Sequence, residues 1–342
     1  MLLGNLSNSI SSGRNKHRDA HGQYPVFGST GIIGYSSTYE YEGPVILVAR
    51  VGANAGTLNF ASGQYDVSDN TLIITIKQNV YDYNFAYNQL THYKLNKLVF
   101  GSGQPLITSK QLKNIRIPVP PLAEQRKIAE VLGVWDKAIE KQARLIEKLA
   151  LRKRALMQRL LSAKLRLPGF SEPWKKVKLG DVAELYQPQT IQSEDLSQTG
   201  YPVYGANGLI GYYNNYNHEY PQVVITCRGS SCGTVNFTPG KCWITGNAMV
   251  LNVDNNRDVN KSFFYYLISN SSFVNLISGS GQPQIVRQPL LKFELRIPPL
   301  KEQTAIAEVL TAADREIDLA KEKLERLRRQ KRGLMQQLLS LI

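Results

Sequence analysis

The feature that most constrains this chain is that it says nearly everything twice. "YPVFGSTGIIGYSSTYE", from Tyr24, returns as "YPVYGANGLIGYYNNYN" from Tyr201, and "GANAGTLNF", from Gly52, returns as "GSSCGTVNF" from Gly229, both 177 residues on. From Gly101 the stretch "GSGQPLITSKQLKNIRIPVPPLAEQRKIAEVL" finds its counterpart at Gly279, 178 residues on, and that offset holds through "LMQRLLS" at Leu156 and "LMQQLLS" at Leu334. Two copies of this size are not a solenoid, whose units are shorter and more numerous. The expected organisation is module, helix, module, helix, over residues 1–117, 118–166, 167–297 and 298–342.

Each copy has two textures. The first part is rich in Gly, Tyr, Asn, Val and Ile, and runs such as "PVILVARV", "TLIITIK", "QVVITCR" and "AMVLNV" read as strands between Gly and Asn turns. "KSFFYYLISNSSFVNLI" reads as helical. The sum is a mixed α/β module with a mostly β core.

The second part of each copy reads as one long helix. Pro120 and Pro121, and Pro298 and Pro299, forbid a helix upstream but suit a first turn, where the missing N–H has no partner anyway. Glu124 and Glu302 follow, placing negative charge against the positive end of the helix dipole. At alternating steps of four and three the first helix gives Ile128, Leu132, Trp135, Ile139, Gln142, Ile146, Leu149, Lys153, Leu156 and Leu160. The second gives Ile306, Leu310, Ala313, Ile317, Ala320, Leu324, Leu327, Lys331, Leu334 and Leu338. Only Gln142 and the two lysines break an apolar seam with coiled-coil period. Each stripe needs a partner. Antiparallel packing of the two helices about a pseudo-two-fold axis satisfies both stripes and places the modules at opposite ends of a rod; self-association between chains would also cover them. A helix over 122–162 would be ~60 Å long at ~1.5 Å per residue.

Charge narrows the partner. The net charge is +14, and half of that surplus falls within residues 118–166. An anionic partner is expected, nucleic acid or a membrane surface. The N-terminus lacks the pattern of a secretory signal, no apolar run is long enough to span a bilayer, and the chain reads as cytoplasmic. Cys227, Cys232 and Cys242, with His218 upstream, do not have paired zinc-ligand spacing and read as three semi-buried thiols; the first copy carries Arg50, Ala55 and Tyr65 in their places. "GSGQP" and "GSTGIIG" lack the G-K-[ST] ending of a nucleotide loop, and no H-E-x-x-H, C-x-x-C pair or G-x-S-x-G occurs. No residue is assigned to catalysis or metal binding. What recurs in the turns is Gly, Tyr, Asn, Ser, Gln and scattered Arg, side chains that reach base edges and phosphates. The turns differ between copies ("GST" against "GAN", "RVGANAG" against "RGSSCG") where the framework does not. That suits two different targets; neutral drift in exposed loops would leave the same trace.

The module–helix order, the helix starts "IPVPPLAEQRKIAEVL" and "IPPLKEQTAIAEVL", and the lead-in "PGFSEPWKKVKLGDVAEL" from Pro168 resemble the specificity subunit of type I restriction-modification systems, over essentially the whole chain. The resemblance implies an α+β fold of two target recognition domains, 1–117 and 167–297, each reading one half of a bipartite duplex DNA sequence in the major groove. The long helices would be spacers that set the gap between half-sites and dock two methyltransferase subunits, with restriction/translocase subunits completing the complex. S-adenosylmethionine, ATP and Mg would belong to those partners, and this chain would be non-catalytic. The first copy begins at "MLLGNLSNSI" without a tryptophan lead-in, so against the family pattern it reads as shortened. A rod of ~60 Å spans ~18 base pairs at ~3.4 Å each, enough for two half-sites and an unread gap. Arg144, Lys148, Arg152, Arg154 and Arg159 could follow phosphates across it or present a solvated, partner-facing surface. For base reading the expected residues are Ser29, Thr30, Arg50 and Asn54 in the first module and Asn207, Arg228, Ser230 and Ser231 in the second. Gln104 and Gln282 are expected at phosphates or bases. The competing reading is a tandem glycan- or protein-binding module on a coiled-coil rod.

Overall fold

The computed structural model describes residues 1–16, 18–19, 21–101, 105–205, 208–279 and 281–340. Its contacts divide into two units, residues 1–144 with 321–342, and residues 145–320.

In the first unit, α1 (Leu3–Leu6) leads into β1 (Ser7–Ser12), followed by β2 (Tyr24–Gly28), β3 (Gly31–Ser36), β4 (Tyr41–Glu42), β5 (Val45–Ala49), β6 (Leu58–Ala61), β7 (Gln64–Val67) and β8 (Thr71–Ile76). Then come α2 (Tyr83–Tyr93), α3 (Ser109–Lys113) and the long α4 (Leu122–Leu160). One antiparallel sheet has the order β1-β8-β5-β6, and a second has the order β3-β2-β7-β4 with β2 and β7 parallel. β5 is buried at all five positions and β8 at all but Thr75, so both read as continuous apolar runs rather than alternating ones. The helical side of the main sheet is closed by Phe85, Ala86 and Leu90 of α2, with Leu3 and Leu6 in the same core.

The second unit repeats this with β9 (Lys175–Lys178), α5 (Leu179–Val182), β10 (Glu184–Tyr186), β11 (Tyr201–Gly205), β12 (Gly208–Tyr213), β13 (Val223–Thr226), β14 (Val235–Phe237), β15 (Trp243–Ile244) and β16 (Ala248–Asn252). α6 (Lys261–Ser269), α7 (Arg287–Leu291), β17 (Glu294–Ile297) and α8 (Leu300–Ser340) complete it. The main sheet order, β10-β16-β13-β14, matches that of the first unit strand for strand. The lead-in forms β9, which pairs with β17; at the corresponding place in the first unit stands a single bridge, Leu2 to Arg116. The stretch from Lys261, expected to be one helical piece, ends as a helix at Ser269, because Asn270 and Ser271 give way to a separate short 3-10 turn over Val274–Leu276.

The prolines stand just outside the long helices rather than in their first turn. The Pro121 carbonyl accepts from Glu124 and Gln125, and that of Pro299 from Glu302 and Gln303, so the second proline of each pair opens the hydrogen-bond ladder. The glutamines of the repeated E-Q pair are fully buried and act as rivets. Gln125 accepts from the Asp82 N–H (2.9 Å) and donates to the carbonyls of Val80 (2.9 Å) and Pro120 (2.8 Å). Gln303 does the same with Asn260 N–H, Asp258 and Pro298, each at 2.9 Å. The glutamates before them differ: Glu124 is exposed, whereas Glu302 is buried and held by Arg166 through Nε (2.6 Å) and Nη2 (2.8 Å).

Every seam position is buried or half-buried. Within the first unit Ile128 and Leu132 share a core with Met335 and Leu339, and Asp136 accepts from Lys331 at 2.6 Å, so residue numbers rise along one helix as they fall along the other. Within the second unit Leu149 meets Ile317 and Ala320, Lys153 pairs with Asp314, and Leu160 shares a core with Ile306 and Leu310. Both stretches are antiparallel. The lysines that interrupt the seam are reciprocal: Lys331 is Lys153 one repeat on, and Asp314 is Asp136 one repeat on. Asp314 also accepts from Tyr266 of α6 at 2.8 Å, joining module to helix pair.

Asp136→Lys alone sets a second cation against Lys331 and is expected to lower Tm by several degrees; adding Lys331→Asp recovers most of it, with a coupling of about 1 kcal/mol in a double-mutant cycle. Gln125→Ala leaves one buried N–H and two carbonyls without their partner and is expected to cost about 2 kcal/mol by denaturant unfolding, with Gln303→Ala similar in the second unit.

Candidate nucleic-acid interface

In the first unit four connections meet at the end of the main sheet where β5 finishes and β8 begins. The Asn70 carbonyl gathers two of them, accepting from Arg50 N–H (2.9 Å) and Ser29 Oγ (3.3 Å). Gly52 N–H donates to the Pro105 carbonyl and Ile107 N–H to that of Arg50, both at 2.9 Å, stitching the β5–β6 turn to the segment entered by the Phe100–Leu106 bridge. Gly56 holds the turn close: at φ +88° a Cβ would come within 2.6 Å of the Asn96 nitrogen. The backbone is therefore fixed by main-chain bonds, and the tip side chains are left to solvent.

Thr30 and Asn54 are exposed, and Ser29 is half-buried against Asn70. Arg50 points elsewhere: its Nη1 donates to Ser12 of β1 at 3.1 Å, and its Nε is buried without a partner. One repeat on stands Cys227, buried, accepting from the Gln187 amide at 3.0 Å. This position braces the sheet end in both copies.

The second unit rebuilds the same stitching. Gly229 N–H donates to the Pro283 carbonyl at 3.0 Å, Arg228 bridges to Gln284, and Cys227 N–H donates to the Asn247 carbonyl at 3.1 Å. Arg228, Ser230 and Gln282 are exposed, while Ser231 is half-buried and its carbonyl closes the turn by accepting from Thr234 N–H at 3.0 Å. Asn207 and Gln104 lie outside the described residues. The structure thus brings Ser29, Thr30, Arg50 and Asn54 to one sheet end, and Arg228, Ser230, Ser231 and Gln282 to the matching end of the other module.

Three repeated pairs at these ends escaped the sequence reading. A Cβ on Gly31 would lie 3.7 Å from Asn59 Oδ1, and one on Gly208 4.0 Å from Asn236 Oδ1, so an asparagine flanks each β-hairpin tip. Asn70 and Asn247 are exposed beside them, and Ile32 and Leu209 project from the hairpins. The repeats of "NF" and of "G-[IL]-I-G-Y" were the available signal for Asn59 with Asn236 and Ile32 with Leu209.

Two of the three thiols are fully buried, deeper than expected, and burial pushes all three above the usual thiol range. Among the described residues no group of three or more His, Cys, Asp or Glu could hold a metal ion. His218 is tied into the framework: Nδ1 donates to Asn217 Oδ1 (2.6 Å) and Nε2 accepts from the Tyr186 hydroxyl (2.9 Å). Burial lowers its pKa, with Asp254 opposing. On the spacer, Arg144, Lys148, Arg152, Arg154 and Arg159 are exposed; Arg144 pairs with Glu140 and Arg152 with Glu316. No described helix is long and apolar enough to cross a membrane.

Two alike modules, each presenting polar turns on a main-chain-stitched sheet end and each riveted to one long helix, define a duplicated recognition scaffold. Both copies match the type I restriction modification DNA specificity domain, over residues 8–150 and 171–329, and the chain belongs to that family. It is 24% identical to the type I restriction enzyme MjaVIII specificity subunit of Methanocaldococcus jannaschii, covering 86% of this chain and 78% of that one, and 26% identical to the putative MjaX specificity subunit of the same organism, covering 79% and 70%. In fold it is similar to the S subunit of a type I restriction-modification system from M. genitalium, with TM-score 0.69 and 20% identity over 99% of this chain and 95% of that one. A chain from a structure on complex assembly and conformational transition of the type I R-M system gives TM-score 0.59 and 19% identity, over 99% and 96%.

His218 must be neutral to accept from Tyr186, and with its folded pKa below the ordinary value the unfolded chain takes up the proton first. Stability of the second unit is therefore expected to be complete above about pH 6.5 and to fall below it. Calorimetry across that range should show the acid loss reduced in His218→Gln.

Proposed function

We propose that this chain is the DNA sequence-recognition subunit of a type I restriction-modification complex, each module reading one half of a bipartite duplex target. The observation that carries this is the match of both copies to the specificity domain, joined to turns that differ in chemistry on sheet ends stitched alike. Thr30 and Asn54 in the first module, and Arg228, Ser230 and Gln282 in the second, are the exposed groups suited to base edges and phosphates. Ser29, Arg50 and Ser231 serve by holding the turns that present them. Asn207 and Gln104 are kept as contacts on their sequence position alone.

The long helices set the distance between half-sites and carry two methyltransferase subunits, with restriction/translocase subunits joining through them. S-adenosylmethionine, ATP and Mg belong to those partners, and this chain acts without a catalytic group of its own, in the cytoplasm where the DNA is. The basic spacer surface supplies sequence-independent affinity, so duplex binding by the assembled complex weakens steeply with salt.

Replacing residues 1–117 by the corresponding module of another specificity subunit, and sequencing the methylated sites in the host, is expected to change one half of the target and leave the other intact. A change in both halves, or in neither, overturns the proposal.

A further inference from the structure

The two β-hairpins carry an aliphatic side chain where the fold does not need one. Ile32 is 53% exposed and Leu209, its repeat counterpart, 50%. Both follow a glycine in the left-handed region, Gly31 at φ +101° and Gly208 at φ +84°. Both precede a β-bulge: the register slips between Val26 and Phe27 in one hairpin and between Val203 and Tyr204 in the other. The bulged residues, Ile33 and Ile210, fold over Gly28 and Gly205, whose added Cβ would meet them at 2.6 and 3.0 Å. The bulge thus lays one aliphatic side chain over the hairpin's glycine, half-buried as Ile33 and 44% exposed as Ile210, and aims its neighbour outward, the re-aiming that bulges perform in sheets.

Among the described residues, about half of each of these side chains is left uncovered. A polar residue would suit the exposed strand position equally well, yet both copies keep a branched aliphatic group while the turn before it changes. The neighbours on the same sheet end, Thr30 and the asparagines Asn59 and Asn236, are hydrogen-bonding groups. An exposed apolar group with hydrogen-bonding groups beside it matches the mixed chemistry of a major-groove edge, where the C5-methyl of thymine is the one apolar feature among donors and acceptors.

We infer that Ile32 and Leu209 each contact a thymine C5-methyl, one in each half-site, and so select an A·T pair at the same place relative to their modules. The inference rests on the DNA-recognition reading above and adds a residue and a base to it.

The test uses the complex assembled from the full chain with its methyltransferase subunits, and duplexes carrying its methylated sequence. Each thymine is replaced singly by uracil, which keeps the pairing edge and removes only the methyl. One position in each half-site is expected to weaken binding about fourfold, the worth of one buried methyl-sized group. Ile32→Ala should abolish that sensitivity in the first half only, and Leu209→Ala in the second only. Because the uracil scan needs no variant, it stands even where a substitution unfolds the hairpin. Indifference to uracil at every position, a half-site without thymine on either strand, or sensitivity that survives both substitutions overturns the inference while leaving sequence-specific binding intact. Binding no tighter than to a scrambled duplex overturns the DNA-recognition reading itself.

Discussion

The structure depends on two long helices that cannot be exposed to water on one face. Their seams alone would accept either direction of packing, since apolar contacts are not directional. The charged interruptions decide it. In a parallel, in-register pairing of two copies of one sequence, equivalent residues face each other, and Lys153 would meet Lys331 while Asp136 met Asp314. Antiparallel packing sets each lysine against the aspartate of the other copy, as observed in both units. Lys331 is left only 14% exposed, so a like-charged neighbour there would have little water to screen it.

The helix seam holds the long elements, and the buried glutamines hold the modules to them. Gln125 and Gln303 each bond three main-chain groups, two of them in the segment between the last sheet strand and the module helix. That segment follows β8 or β16, whereas the variable turns precede those strands. In the first unit the six residues of β8 set the turns ~20 Å from the rivet at ~3.3 Å per residue. The elements that determine assembly and those suited to contacting DNA therefore lie at opposite ends of the same strand, and a change at one end leaves the hydrogen bonds of the other untouched.

Much of this was legible in the sequence because it is local or repeated. The seam follows from a period of 3.5 over 33 residues, the buried strands from apolar runs bounded by Gly and Asn, and the module order from the duplication. What was not legible depends on pairings far apart in the chain. Asp136 and Asp314 sit one residue off the seam and look like solvated charges; their lysines lie 195 and 161 residues away. Glu302 looks like a dipole-matching residue of the same kind as Glu124 until Arg166 is found to clamp it. Arg50 looks like a base reader because it ends a strand before a Gly turn, and only the neighbouring β1, contributed by the start of the chain, shows that its guanidinium is directed to Ser12. The hairpin bulge leaves no trace in an alternating pattern as short as "GIIGY".

Comparison of the two copies separates differences that the framework absorbs from those that alter its surface. Where Arg50 stands against Cys227, each copy supplies its own compensation, Ser12 accepting in one and the Gln187 amide donating in the other, so the exchange is coupled to partners on neighbouring strands. Where Tyr41 stacks on Tyr65 in the first unit, the same main-chain pairing in the second sets His218 opposite Cys242, and the His218 ring stacks on Tyr186 instead. The turns are closed by the main chain in both copies. Asn54 and Ser231 differ in side chain, yet their carbonyls make equivalent bonds, to Thr57 N–H and Thr234 N–H, that close the turn in each copy. Because main-chain bonds close these turns alike in both copies, the same turn carries different side chains, and one scaffold, used twice, presents two different surfaces.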